Sequence, residues 1–142
     1  MIYTNDTKKA LKIAYQAHKN QYDKSGLPYI FHPFYVATLM KDEITTIVAL
    51  LHDVIEDSDY TITDIKQMGF SNEIIEALQL LTHDKDVDYY RYIESIKTNE
   101  VAKKVKIADL KHNSDLSRLD TVNESDLNRV EKYKKALKIL EG

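Results

Sequence analysis

Four titratable residues break into the most apolar stretch of the chain. Ala49-Leu50-Leu51 runs straight into His52-Asp53, and Val54-Ile55 is followed by Glu56-Asp57. On a helix His52 and Glu56 stand one turn apart, as do Asp53 and Asp57, so the spacing predicts one shared edge. An imidazole beside a carboxylate suits a hard or borderline divalent ion. The two carboxylates one turn on are spaced to orient or deprotonate a water on that ion. The same residues also fit a solvated helix end, although acidic side chains there oppose the helix dipole.

Two ligands do not hold an ion, so others must come from distant parts of the chain. His32 lies in Pro28-Tyr29-Ile30-Phe31-His32-Pro33, and Asp109 lies in Val105-Lys106-Ile107-Ala108-Asp109-Leu110. Each taken alone also fits a structural role, His32 as a hydrogen-bonded core histidine and Asp109 as one polar residue on an amphipathic helix. Each nevertheless interrupts an apolar face at its own location. His112 and Asn113 follow Asp109 at helical spacing and share its face.

The elements that must position these residues read as helices. Apolar residues at helical spacing predict a first helix from about Thr4 or Asp6 to Gln21, and a second runs from Pro33 to Met40. The nearly all-apolar segment from Ile44 to Glu56 predicts one central, buried helix. Thr61 and Ser71 are N-cap candidates for helices ending near Gly69 and Leu81. Helices over Tyr89–Lys97, Asn99–Leu116 and Glu124–Leu140 complete the set, the last with Leu127, Val130, Tyr133, Leu137 and Leu140 on one face. Asp23 to Pro28 is the clearest loop. The expectation is an all-α, irregular single-domain bundle of seven or eight helices spanning 1–142.

Composition narrows the chemistry further. The chain has 142 residues, three Gly and two Pro, a scarcity of breakers that favours helix. There is no cysteine, which excludes a disulfide scaffold, a Cys-ligated zinc and a thiol nucleophile, so any ion must rest on His and carboxylate. A formal charge of −3 offers nucleic acid or an anionic membrane no attraction. The N-terminus does not read as a signal peptide and no segment is long and apolar enough to span a bilayer, so the expected location is the cytoplasm.

Taken in order, these residues resemble a known family. His32, His52-Asp53 and Asp109 follow the order and spacing of the HD superfamily of metal-dependent phosphohydrolases. Gln21-Tyr22-Asp23-Lys24-Ser25-Gly26-Leu27-Pro28-Tyr29-Ile30, His32-Pro33, Leu50-Leu51-His52-Asp53-Val54-Ile55-Glu56-Asp57 and Ala108-Asp109-Leu110-Lys111-His112-Asn113 are similar to the alarmone hydrolase domain of the RelA/SpoT family, which also occurs alone. The likeness spans Ala10 to Leu119 and implies an HD-domain fold.

The resemblance implies that His32, His52, Asp53 and Asp109 bind one divalent ion, manganese first, with iron, cobalt or zinc as alternatives. It implies that Glu56 and Asp57 orient and activate the attacking water. It places Lys24, Ser25 and Asn113 beside a phosphorylated nucleotide, with Arg129 and Tyr133 facing it from the last helix. Lys24, Lys111 and Arg129 are the cations expected to hold a polyanion. The implied activity is release of pyrophosphate from the 3′ position of guanosine 3′,5′-bisdiphosphate. One departure bears on the substrate: Asp23 stands where the family usually has Arg, which weakens the hold on a highly charged nucleotide unless another base compensates. Hydrolysis of another phosphorylated nucleotide or dinucleotide cofactor, and a catalytically silent binding module, are the alternatives; a homo-oligomer is left open.

Overall fold

Every residue from Thr45 to Leu51 is buried, and this segment forms the axis of the molecule, α3 (Glu43–Leu51). Asp42 starts it by accepting the Thr45 N–H at 2.8 Å, a side-chain cap on a helix that is apolar from Ile47 to Leu51. The computed structural model describes all of residues 1–142. Around α3 are packed α1 (Asn5–Ala17), α2 (Phe31–Thr38), α6 (Asn72–Leu81) and α8 (Glu100–Asn113). The one-turn α4 (Val54–Asp57) and short α5 (Ile62–Gln67) lead from α3 to α6, and α7 (Tyr89–Lys97) precedes α8. A 3₁₀ turn at Leu116–Arg118 leads to α9 (Glu124–Glu141), which packs on α7 and α8. The only β pairing is an isolated bridge between Tyr22 and Pro28, so the all-α expectation holds. A cluster of 27 buried apolar residues, drawn from α1 through α9, forms the core.

Three element boundaries differ from the sequence-based expectation, each for a local reason. The first helix ends at Ala17 rather than Gln21, because Asn20 takes a left-handed φ of +70°. The Gln21 side chain then turns back, donating to the carbonyls of Ala17 at 3.2 Å and Asp57 at 2.7 Å. The helix expected over Ile44–Glu56 is interrupted at His52–Asp53, which splits it into α3 and α4 and adds a ninth segment. There His52 Nδ1 lies 2.6 Å from the Ala49 carbonyl, the acceptor that the Asp53 N–H would use in an unbroken helix. The helix after Asn99 stops at Asn113, and Asp115 caps the 3₁₀ turn that follows. On α9, Val130 and Leu140 are buried as expected, but Leu127 is exposed and Asp126 is buried in its place.

Candidate active site

The break between α3 and α4 turns His52 and Asp53 toward residues from α2 and α8. His32, His52, Asp53 and Asp109 each offer one ligand atom, and these atoms lie within 4.8 Å of one another. His32 Nε2 is 2.7 Å from Asp109 Oδ1, and His52 Nε2 is 3.1 Å from Asp53 Oδ2 and 3.3 Å from Asp109 Oδ1. Three separate elements thus meet at one point, which sequence spacing alone does not dictate.

Contacts around the cluster orient its four groups. His52 spends its Nδ1–H on the Ala49 carbonyl, so Nε2 faces the cluster. His32 Nδ1 lies 2.7 Å from His112 Nδ1. Burial, then the Arg118 charge, push His112 down to about 4, so it is neutral. Tyr29 donates to Asp53 Oδ2 at 2.6 Å, while Lys106 donates to Asp109 Oδ2 and Asn113 to Asp109 Oδ1, both at 3.0 Å. The donor set of two imidazole nitrogens and two carboxylates, each anchored by a hydrogen bond to a neighbouring group, fits a divalent cation.

Electrostatics point the same way. Burial favours a neutral Asp53, but the charge and hydrogen bond of His52 outweigh it and hold the carboxyl at about 2. Burial opposes a charge on His52, yet Asp53 and Asp109 raise it well above the ordinary imidazole value. The buried Asp109 carboxylate and the half-buried Asp53 carboxylate therefore demand positive charge at this point, and without an ion a proton on His52 supplies it.

Glu56 and Asp57 sit at the end of α4, three and four residues after Asp53, and Asp57 lies within the field of Asp53, His52 and Asp109. Glu56 Oε1 accepts the backbone N–H of His83, a residue with no role assigned from sequence. Asp57 is held through its backbone, its N–H bonded to the Asp53 carbonyl at 3.0 Å and its carbonyl to Gln21. Burial, then the Asp53 and Glu56 charges, raise its carboxyl to about 6.

A cleft of about 310 Å³ adjoins the cluster, and Lys24, Ser25, Asn113, Arg129 and Tyr133 all line it. Their contacts are not all those expected. Asn113 bonds a ligand carboxylate rather than projecting free, and Ser25 donates to the Arg118 carbonyl at 2.7 Å. Lys24 and Arg129 both bind Asp126 Oδ1, each at 2.8 Å, so one buried carboxylate fixes two cations. Lys111 is not in the cleft; it lines a different cavity, 4.0 Å from Glu141. Arg118, which the sequence reading passed over, takes that third place. Its NH1 donates to the His112 carbonyl at 3.0 Å and to Asn113 Oδ1 at 3.2 Å, and NH2 is 4.0 Å from Asp23. Asp23 itself caps its loop, Oδ1 accepting from the N–H groups of Ser25 and Leu27. The readable signals were Asn123-x-x-Asp126, a capping-box spacing, and Lys106 three residues before Asp109. Nothing local to Arg118 betrays its part, because only the turn at Leu116–Arg118 brings it to the cleft.

Known proteins resemble the chain in sequence and in fold. The chain is 36% identical over 122 residues to a Borreliella burgdorferi protein named guanosine-3′,5′-bis(diphosphate) 3′-pyrophosphohydrolase, covering 74% of this chain and 18% of that protein. It is 35% identical over 115 residues to the Haemophilus influenzae protein of that name, covering 71% and 17%. The chain therefore spans less than a fifth of the length of these curated relatives. Among solved structures, one described as a metazoan ortholog of SpoT that hydrolyzes ppGpp superposes with a TM-score of 0.83 at 25% identity, covering 100% of this chain and 89% of that one. No family model matches the chain. The chain is thus similar in sequence to the first two proteins, and along its whole length it shares the fold of the third, a likeness to the RelA/SpoT-type hydrolase domain.

Proposed function

We propose that the protein is a manganese-dependent phosphohydrolase that removes pyrophosphate from the 3′ position of guanosine 3′,5′-bisdiphosphate. The observation that carries this reading is a cluster of two His and two Asp beside an acidic pair, next to a cleft with three cations. His32, His52, Asp53 and Asp109 are the residues that would hold the ion. A divalent ion supplies Lewis-acid charge to a phosphate oxygen and lowers the pKa of water.

The chain's own groups do the rest. Lys24, Arg118 and Arg129 bind phosphate oxygens, and Tyr133 closes the cleft beside them. Glu56 and Asp57 orient a water for in-line attack and take its proton. The water oxygen bonds to phosphorus, the bond from that phosphorus to the 3′ sugar oxygen breaks, and pyrophosphate leaves as the sugar oxygen gains a proton. A carboxyl near 6 at Asp57 suits a group that takes and returns protons around neutral pH.

A second reading keeps the chemistry and changes the nucleotide. The cleft's cations are matched by Asp23, Asp115 and Asp126, so it offers a polyanion little net charge. That favours a less highly phosphorylated nucleotide. Incubating the manganese-loaded protein with guanosine 3′,5′-bisdiphosphate and a nucleotide panel, then identifying products, separates the readings. Pyrophosphate with guanosine diphosphate is the expected result; turnover of a different nucleotide alone overturns the first reading. Glu56→Gln should keep the metal and lose about 10²-fold or more of the rate. An unchanged rate would remove Glu56 from the water-positioning role.

A further inference from the structure

A cavity of about 650 Å³, twice the size of the cleft, opens between α2, the turn before α3, and α8. Leu39, Met40, Ile107 and Ala108 make an apolar lining, and Leu39 and Tyr35 are exposed there, a cost in water that a ligand would relieve. Lys41, Lys104 and Lys111 stand around it. Its two carboxylates are already engaged: Asp42 Oδ1 takes the Thr45 N–H and hydroxyl, and Asp115 Oδ1 takes those of Ser117. The only carboxylate within 4.0 Å of any of the three lysines is Glu141, at 4.0 Å from Lys111. Three lysines against two aspartates leave the cavity one net positive charge beside its apolar lining, on a chain whose net charge is −3.

A chain of ring contacts leads from this cavity to the metal cluster. Tyr35 stacks on His112 with centroids 4.2 Å apart, and His112 lies nearly coplanar with His32 and edge to edge with it, centroids 5.0 Å apart at an interplanar angle of 2°. His112 also meets His32 through their Nδ1 atoms at 2.7 Å. A molecule pressed against Tyr35 and His112 thus bears on the orientation of His32, whose other nitrogen belongs to the cluster.

We propose that this cavity binds a small anionic amphiphile, an apolar body ending in one acidic group, and that its occupancy shifts metal affinity through Tyr35, His112 and His32. The second half rests on His32 being a metal ligand; the first half does not. The test titrates the manganese-loaded full chain with 8-anilinonaphthalene-1-sulfonate, followed by dye fluorescence. The expected result is saturable binding that the triple variant Lys41→Gln, Lys104→Gln, Lys111→Gln weakens at least about tenfold, since each ammonium near a bound anion contributes. Lys134→Gln should have no effect. The dye should change manganese affinity, and manganese should change dye affinity by the same factor. Tyr35→Leu should keep dye binding within a few-fold and lose that coupling.

Equal binding by the triple variant, or no saturable binding at all, overturns the site. A loss with Arg129→Ala as large as with the triple variant puts the dye in the cleft and likewise overturns it. If the parent takes no manganese, the coupling falls together with the metal reading, while the dye titration still decides the site. Circular dichroism confirms that each variant is folded.

Discussion

Asp57 carries a cost that its position explains. Burial and two neighbouring carboxylates raise its carboxyl from 3.8 to about 6, so the folded protein binds more protons here than the unfolded chain between those values. Stability from this group therefore falls as pH rises from about 4 to about 6 and stays low above that window. Asp57→Asn should raise the melting temperature of the metal-free protein at pH 7, leave it nearly unchanged at pH 4, and slow hydrolysis. A pH-independent difference in melting temperature would mean that the side chain acts by shape rather than charge. Lys106 is the opposite case: burial disfavours its charge, but contact with Asp109 Oδ2 at 3.0 Å outweighs that, so the ammonium is retained. Lys106→Met should destabilise the fold by about 3 kcal/mol, because it strands a buried carboxylate. It should also weaken manganese binding about tenfold. Urea unfolding and metal titration measure the two effects separately.

At the scale of elements, the N-terminus of α9 is where helix formation and ligand binding share a residue. Asp126 accepts the Asn123 N–H at 3.0 Å in a capping box and holds Lys24 and Arg129 in the cleft. Hydrogen bonds from Lys24, Asn123 and Arg129 keep its carboxyl far below the usual range, so it stays ionised at any working pH. Asp126→Ala should lower the melting temperature by a few degrees through the lost cap. It should also raise KM several-fold with little change in kcat, since the freed cations no longer point one way. Steady-state kinetics beside a thermal melt check both. The break between α3 and α4 works on the same scale. By taking the Ala49 carbonyl, His52 ends the helix where Asp53 must turn toward α2 and α8.

For the molecule as a whole, the ion proposed above would stabilise the fold as well as serve the reaction, because the residues that would hold it come from α2, the α3–α4 break and α8 and meet only in the folded chain. Manganese at a hundredfold over its Kd should add about 2.7 kcal/mol to stability, an increment that Asp53→Ala lacks. The ion must displace the proton that Asp53 and Asp109 hold on His52 above its ordinary value. Manganese affinity should therefore rise with pH, weaker at pH 6 than at pH 8, which calorimetry in two buffers can follow. The helices themselves were legible from local chemistry. Apolar period, the Thr61 cap and the Gly69 stop act within a few residues, so a sequence states them directly, whereas Ser71, the other N-cap candidate, makes no side-chain bond to its helix. The residue types of the metal set were legible for the same reason: His and Asp stand out against apolar neighbours. Their convergence was not, because 77 residues separate His32 from Asp109 and only packing around α3 joins them. Nor could the chain by itself reveal that Arg118 replaces Lys111 in the cleft. On a helix face a lysine and its neighbours look alike until the turn after Asn113 and the partners around it decide which cation reaches the substrate side.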